Sequence, residues 1–461
     1  MAKGITYVAP VYKVIVVLSM LCLSTSCDKD WLDEKPDKNL TVPETLNDFE
    51  AMLDNTAING RSALSIGEVA SDGHYVLESR WASGFDNNLV NAYTWTKNRP
   101  NIAIVDWNSP YNFIIVSNVI LEGAEKIEST ASISEQRNRI IGGALFNRSR
   151  QLFELAQVFI PPFNTATASS DIGLPIRTEA DITIPTVRST VKETYDRIIA
   201  DLLIAKDLLP TTPRYKTRAS KPAVFAQLAR VYLSMKDYSN AGKYADSCLK
   251  IYSTLLDYSK INLNANFIGV FNDEVIFHSL GSAYNILTSS AKIDKSLFDT
   301  YAANDLRKKA FFRTESAGTI IFKGNYSNNS TSYFFGLATD EVYLIRAEAL
   351  ARSGAKEDAL KYLNLLLKRR YDMTFAPVTA VDANDALVKI LKERKKELFL
   401  RGQRWTDLRR LNTEQQFSEI LTRTIGGNTY TLEPNSYKYT FPIPDDVVQL
   451  SGIQQNSGWA K

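Results

Sequence analysis

The stretch Glu393-Arg-Lys-Lys-Glu-Leu-Phe-Leu-Arg-Gly-Gln-Arg-Trp-Thr-Asp-Leu-Arg-Arg-Leu-Asn412 interleaves acids, bases and rings at helical spacing. Ile390, Leu391, Arg394, Leu398 and Arg401 recur at three- and four-residue steps, and Glu393 stands four residues before Glu397 on the same flank. Gly402 breaks that rhythm, as a helix C-terminal glycine does. Beyond it a second short helix is predicted, with Trp405, Leu408 and Leu411 on one side and Asp407, Arg409 and Arg410 on or near the other. Alternating charge among aromatics suits a knot of partly buried ion pairs. Such a knot positions helices rather than performing chemistry.

Working outward, Glu393-Arg394, Glu397-Leu398, Arg401-Gly402, Arg404-Trp405, Asp407-Leu408 and Arg410 resemble the C-terminal signature of the SusD/RagB family, the surface lipoproteins of Bacteroidetes nutrient-uptake systems. Arg401 stands where the family often has Glu, so one ion pair is expected to be reversed or absent. The acidic leader with Leu32-Asp33 and Pro36, and the tail from Tyr439 to Asn456, are similar to the family's opening and closing motifs. The resemblance implies a mainly α fold: tetratricopeptide-like helix pairs forming a right-handed bundle, with long irregular loops and a few short strands.

The amino terminus reads as a targeting segment. Lys3 and Lys13 precede an apolar run, Val14 to Leu23, too short to stay in a bilayer as a span. Ser24-Thr25-Ser26-Cys27 supplies small residues before a cysteine, like a lipoprotein cleavage box. This divides the chain into a signal peptide (1–26), a tether (27–43) after a lipidated Cys27, an N-terminal region (44–220) and a C-terminal region (221–461). Several acyl chains on Cys27, which the resemblance to bacterial lipoproteins implies, would hold outer-membrane lipid stably at ~0.8 kcal/mol per buried CH₂. A plain secretory signal is the other reading. With Cys27 lipidated, Cys248 is the mature chain's single thiol and no disulfide scaffold forms. Acidic Asp28 and Asp30 resemble surface-export signals of Bacteroidetes lipoproteins.

Helical periodicity predicts helices over 44–58, 111–127, 133–159 and 191–209, the last capped by Thr190. Two segments look like tetratricopeptide repeats. Pro222–Tyr252 carries Leu228-Ala229, Tyr232, Tyr238, Ala241 and Ala245, and Thr339–Arg370 carries Tyr343, Ala347, Ala349, Gly354, Ala359 and Leu363. Small residues there let paired helices approach and stack. Residues 253–338 interrupt the array, with short strands expected at 273–278 and 320–322.

The 461 residues carry a net charge of +3, which argues against electrostatic binding to nucleic acid. No cysteine pair, phosphate loop or nucleophile elbow is present, and two histidines, His74 and His278, stand far apart. No catalytic set, metal or cofactor is expected. Residues 67–111 are instead aromatic and least periodic, a candidate binding loop. An indole can cover the apolar face of a sugar while amides and carboxylates meet its hydroxyls. Trp95-Thr96-Lys97-Asn98 offers both within one turn, and resembles a Trp-x-x-Asn stretch lining the glycan surface of starch-binding family members. Asp72, Trp81 and Tyr75 join it as candidates, with Tyr284 entering from the second irregular segment. The competing reading has these rings plug the loop against the helices, Trp107 and Trp81 above all.

The resemblance implies a non-enzymatic lipoprotein that captures oligosaccharide outside the cell and delivers it to a SusC-like TonB-dependent transporter. Alternatives keep the fold but bind peptides or another nutrient, or make the chain a periplasmic tetratricopeptide scaffold; a glycoside hydrolase ranks below them.

Overall fold

Thr45 starts the first helix of the described residues. Its hydroxyl accepts the Asp48 N–H while the Asp48 carboxylate accepts the Thr45 N–H, a reciprocal cap that satisfies two orphan donors. The computed structural model describes Met1 and residues 42–56, 61–98 and 105–459, so the signal segment and Cys27 lie outside it. Thr45–Lys461 form one unit.

Along the chain run α1 (Leu46–Asp54), β1 (Arg61–Ser62), α2 (Ser65–Ala70), β2 (His74–Val76), α3 (Glu78–Ala82) and α4 (Asn87–Thr94). Where it is described, the stretch 67–111 is therefore not one long loop but short helices, the strand β2 and the start of a longer helix. Next come α5 (Val105–Lys126), α6 (Ser134–Phe159), β3 (Ile172–Pro175), β4 (Arg188–Thr190) and α7 (Val191–Leu208). Thr190 caps α7 as expected, paired reciprocally with Glu193. The first repeat-like pair is α8 (Lys221–Ser234) with α9 (Tyr238–Ile251). The interruption holds β5 (Val275–Phe277), β6 (Leu280–Gly281), α10 (Asn285–Thr288), β7 (Ala291–Ile293), α11 (Lys295–Asp299), α12 (Arg307–Phe311), β8 (Phe312–Thr314), β9 (Ile320–Phe322) and β10 (Leu337–Ala338). The second pair is α13 (Thr339–Arg352) with α14 (Lys356–Leu367). The chain closes with α15 (Ala383–Glu397), α16 (Arg404–Leu411), β11 (Leu421–Ile425), β12 (Asn428–Leu432) and α17 (Asp445–Ser451).

Helices stack in sequence, α5 on α6, α6 on α7, α7 on α8 and α8 on α9. The array then continues in space although the sequence is interrupted, because α9 packs directly on α13, which packs on α14 and α15. The contact is close: a Cβ added to Gly242 would stand 2.8 Å from the Ala349 Cβ. Among the described residues the strands form two-stranded pairs. Antiparallel β2 and β7 set Tyr75 opposite Lys292, and β11–β12 is a hairpin turning at Gly426-Gly427.

The charged knot is buried more completely than its sequence suggests. Arg307, Arg370, Glu274 and Glu397 have fully buried side chains, with Glu397 held by Arg307 at 2.9 Å and Arg370 at 2.7 Å. Arg394 meets Asp407 at 2.8 Å, and Arg410 bridges Asp407 to Glu348. Such pairs withstand desolvation only with both partners in place. Arg401 keeps an ion pair of reversed sense, 3.0 Å from Asp340, and its guanidinium lies 4.7 Å from the ring centres of Tyr326 and Phe334. Gly402 is not the helix terminator. α15 ends at Glu397, and Gly402 adopts a φ of +74° where a Cβ would come within 2.8 Å of the Phe335 ring.

Candidate ligand-binding face

The predicted ligand residues divide into those the fold consumes and those it leaves at the surface. Trp95 is consumed. It takes a left-handed φ of 53° at the end of α4, is 3% exposed, and donates its indole N–H to the Ala70 carbonyl at 2.9 Å. Arg423 of β11 lies over Tyr93 and Trp95, 3.8 and 4.8 Å from their ring centres, and donates to the carbonyls of Val69, Ser71 and Tyr93. The cavity beside Trp95, lined also by Ile66, Ala92 and Trp459, holds about 20 Å³, room for a single water. Trp95 is therefore a corner fastener, which corrects its reading as a sugar platform. Trp107 is buried too, edge-on to Phe159 at 5.0 Å, as the competing reading has it.

Asp72 is also committed. Arg404 donates to it at 2.5 Å and Lys395 approaches to 2.7 Å. Burial opposes its ionisation, but these two cations hold the carboxyl far below the usual carboxylate range. Its contribution is to bind the α2–β2 turn to α15 and α16. Nearby Glu68 has no such cation in contact: burial, with Asp72 adding repulsion, pushes its carboxyl up to about 8.

Trp81, Tyr75, Tyr284 and Asn98 reach the surface in part or whole. Trp81 on α3 is half-buried, 6.0 Å from the Phe85 ring and 5.5 Å from the Tyr93 ring. The neighbouring Arg80 lies 3.9 Å over Phe85 and donates to Ser290 at 3.0 Å, which ties α3 to the segment after α10. The hairpin tip docks from the other side. Glu78 accepts the Gly426 N–H at 3.0 Å, and a side chain at Gly426 would come within 2.9 Å of the Trp81 indole nitrogen. Tyr75 projects half-buried from β2, between buried His74 and Val76. Tyr284 donates its hydroxyl to Asp106, whose carboxyl burial pushes up to about 7. These contacts gather Trp81, Phe85, Tyr93 and Arg80 beneath the hairpin tip, while Tyr75 stands opposite Lys292 on β7 and Tyr284 is tied to Asp106. Asn98 is exposed. The sequence reading missed Arg80, Phe85 and the hairpin; an Arg beside a Trp on a five-residue helix, with Phe85 three residues past its end, was the available signal.

The histidines are not brought to this face as ligands. Burial lowers His74 to about 3 and His278 to about 4, so both stay neutral. Among the described residues no group of three or more His, Cys, Asp or Glu is arranged to hold a metal. Burial pushes the Cys248 thiol up to about 12, which leaves it inert. Among the described residues no helix is long and apolar enough to cross a membrane.

Two family models match the chain. One, described as starch-binding and associating with the outer membrane, covers residues 30–233; the other, the SusD family, covers residues 322–459. Together they account for about three quarters of the sequence. The chain belongs to the SusD family. It is 22% identical to SusD-like protein P2 of Formosa agariphila over 97% of this chain and 99% of that one. Among solved structures, a SusD superfamily protein from Bacteroides vulgatus has a TM-score of 0.74 at 23% identity, covering 91% of this chain and 100% of that one. A laminarin-binding SusD-like protein has a TM-score of 0.64 at 18% identity, covering 89% and 98%. The helix-dominated architecture with few short strands is thus that of the SusD superfamily. The family's members are carbohydrate-binding proteins associated with the outer membrane, and general partners of SusC transporters.

Proposed function

We propose that this SusD-family protein is a surface-exposed, lipid-anchored oligosaccharide receptor of the outer membrane. Cys27 carries the anchor, and a SusC-like TonB-dependent transporter takes the bound chain. The observation that carries this reading is the partly exposed Trp81 indole, braced by Phe85, Tyr93 and Gly426 and flanked by the polar groups of Arg80 and Ser290. A braced ring presents a flat apolar platform at little entropic cost, and flanking donors select hydroxyls. Tyr75, Tyr284 and Asn98, each at least partly exposed, are further candidate contacts. The family description and the laminarin-binding structural relative point to the same ligand class.

The protein works by capture and delivery, not turnover. Binding of modest strength suits it, because the ligand must leave for the transporter. Calorimetric titration with a panel of oligosaccharides tests the reading. Binding that falls at least tenfold in Trp81→Ala, with the variant still folded, supports it; equal binding by wild type and variant refutes the assigned face. Protease shaving of intact cells and co-purification with the transporter test location and delivery.

A further inference from the structure

A second cavity, of about 570 Å³, opens at the far end of α16. That lies within the roughly 300–1,000 Å³ of small-molecule sites. Its walls come from four separate segments: Phe163 and Asn164 after α6, Lys236 between α8 and α9, Asn412 and Thr413 after α16, and the tail from Asn435 to Ser457.

The walls are fixed from behind. Arg409, 3% exposed, donates to the carbonyls of Ala156, Gln157 and Ile160 at the end of the long helix α6. Asn456 donates to Phe159 and Phe441 at 2.8 and 2.7 Å, and Asn435 to the Asn412 carbonyl at 2.8 Å. A cavity whose frame is already hydrogen-bonded loses little entropy on filling.

The lining has a consistent chemistry. Rings of Phe163, Tyr437 and Tyr439 alternate with asparagine amides and serine and threonine hydroxyls. Asn164 uses its side-chain oxygen on the Ala166 N–H, and Asn435 uses its side-chain nitrogen on Asn412, so each keeps its other amide atom for a ligand. The lining carboxylate, Asp171, is taken by the Thr167 hydroxyl at 2.5 Å. Lys236 and Arg409 add positive charge, and no pair of acids stands ready to cleave anything. Rings plus two-sided hydrogen-bonding groups suit a hydroxyl-rich ligand that is neutral or acidic.

The tail keeps this cavity apart from the Trp95 corner: Tyr437 faces the cavity, while Lys438 lines the small space beside Trp95. We propose that the cavity is a second saccharide site, which accepts the end of a short oligosaccharide independently of the Trp81 face. This rests on the carbohydrate reading and adds a second point of attachment to it. Two points on one polymer raise its apparent affinity without any new contact at either.

The test is calorimetry of the full mature chain with neutral gluco-oligosaccharides and uronate-bearing oligosaccharides. The cavity variants are Tyr437→Ala and Ser457→Trp, the second filling the space; both residues are exposed, so the melting temperature should hold. Expected are two binding events, one weakened at least tenfold by either cavity variant and the other by Trp81→Ala. A single event, abolished by Trp81→Ala and untouched by both cavity variants, overturns the second site and leaves the proposed function standing. Absence of heat from wild type with every saccharide would overturn both.

Discussion

The guanidinium of Arg423 lies 3.8 Å from the centre of the Tyr93 ring, and from that position it closes the carbonyl ends of Val69, Ser71 and Tyr93. The hairpin is thereby locked to the short helices around Trp81. Arg423→Leu would leave those acceptors unpaired, at ~1–3 kcal/mol for each one that finds no water. Urea denaturation should show a lower midpoint, with saccharide binding weakened even where the protein stays folded.

Trp95 and Trp81 should separate in experiment. Trp95→Ala empties a core position and is expected to cost about 3–5 kcal/mol of stability, read as a lower thermal midpoint. Trp81→Ala should lower the midpoint by less than Trp95→Ala does and weaken binding at least tenfold. Loss of affinity in a fully folded Trp95→Ala protein would return that residue to the ligand site.

Arg401→Glu would restore the residue the family often carries, but here it faces Asp340 at 3.0 Å. Two carboxylates would then share a buried site, at ~3–5 kcal/mol for the broken pair. Denaturant titration of the double variant Arg401→Glu/Asp340→Arg should recover part of that loss.

Glu68 gives a pH dependence of definite sign. Its folded-state carboxyl is pushed up to about 8, above the ordinary 4.5, so the folded protein holds a proton that the unfolded chain releases first. Stability from this group is full below the ordinary value and declines as pH rises toward 8. Glu68→Gln should therefore be more stable than wild type at pH 8 and nearly equal at acid pH. Thermal melts across that range check it.

Gly242→Leu would drive a branched side chain into the α9–α13 seam, where even a Cβ would stand 2.8 Å from Ala349. Overpacking of this kind costs about 1–3 kcal/mol. A lowered melting temperature with unchanged saccharide affinity is expected, because the seam is part of the scaffold.

The helical frame was legible because its signals are local. Thr190 with Glu193 marks a helix start by itself, and small residues such as Ala349 mark a close seam before its partner is known. The 393–412 run was legible as a charged knot, but Gly402 was misread as a cap because the demand on it comes from Phe335, outside the run. The binding face was harder. α3 and α4 are too short to show a full helical period. Trp95 is buried by Arg423 and Ala70, partners that no window around residue 95 contains. The cavity behind α16 was invisible for the same reason, since its walls meet only in space.

The seam between α9 and α13 joins helices separated in the chain by residues 253–338. Closing a flexible excursion grows dearer only slowly with its length, by ~0.6 kcal/mol for each doubling. A lineage built this way can vary the exposed parts of the excursion around Tyr284 so long as its buried Glu274 and Arg307 keep Arg370 and Glu397, and the rails on either side keep their gauge. New diets could then be met by editing the cargo deck alone, with the chassis and whatever it docks against left as they were.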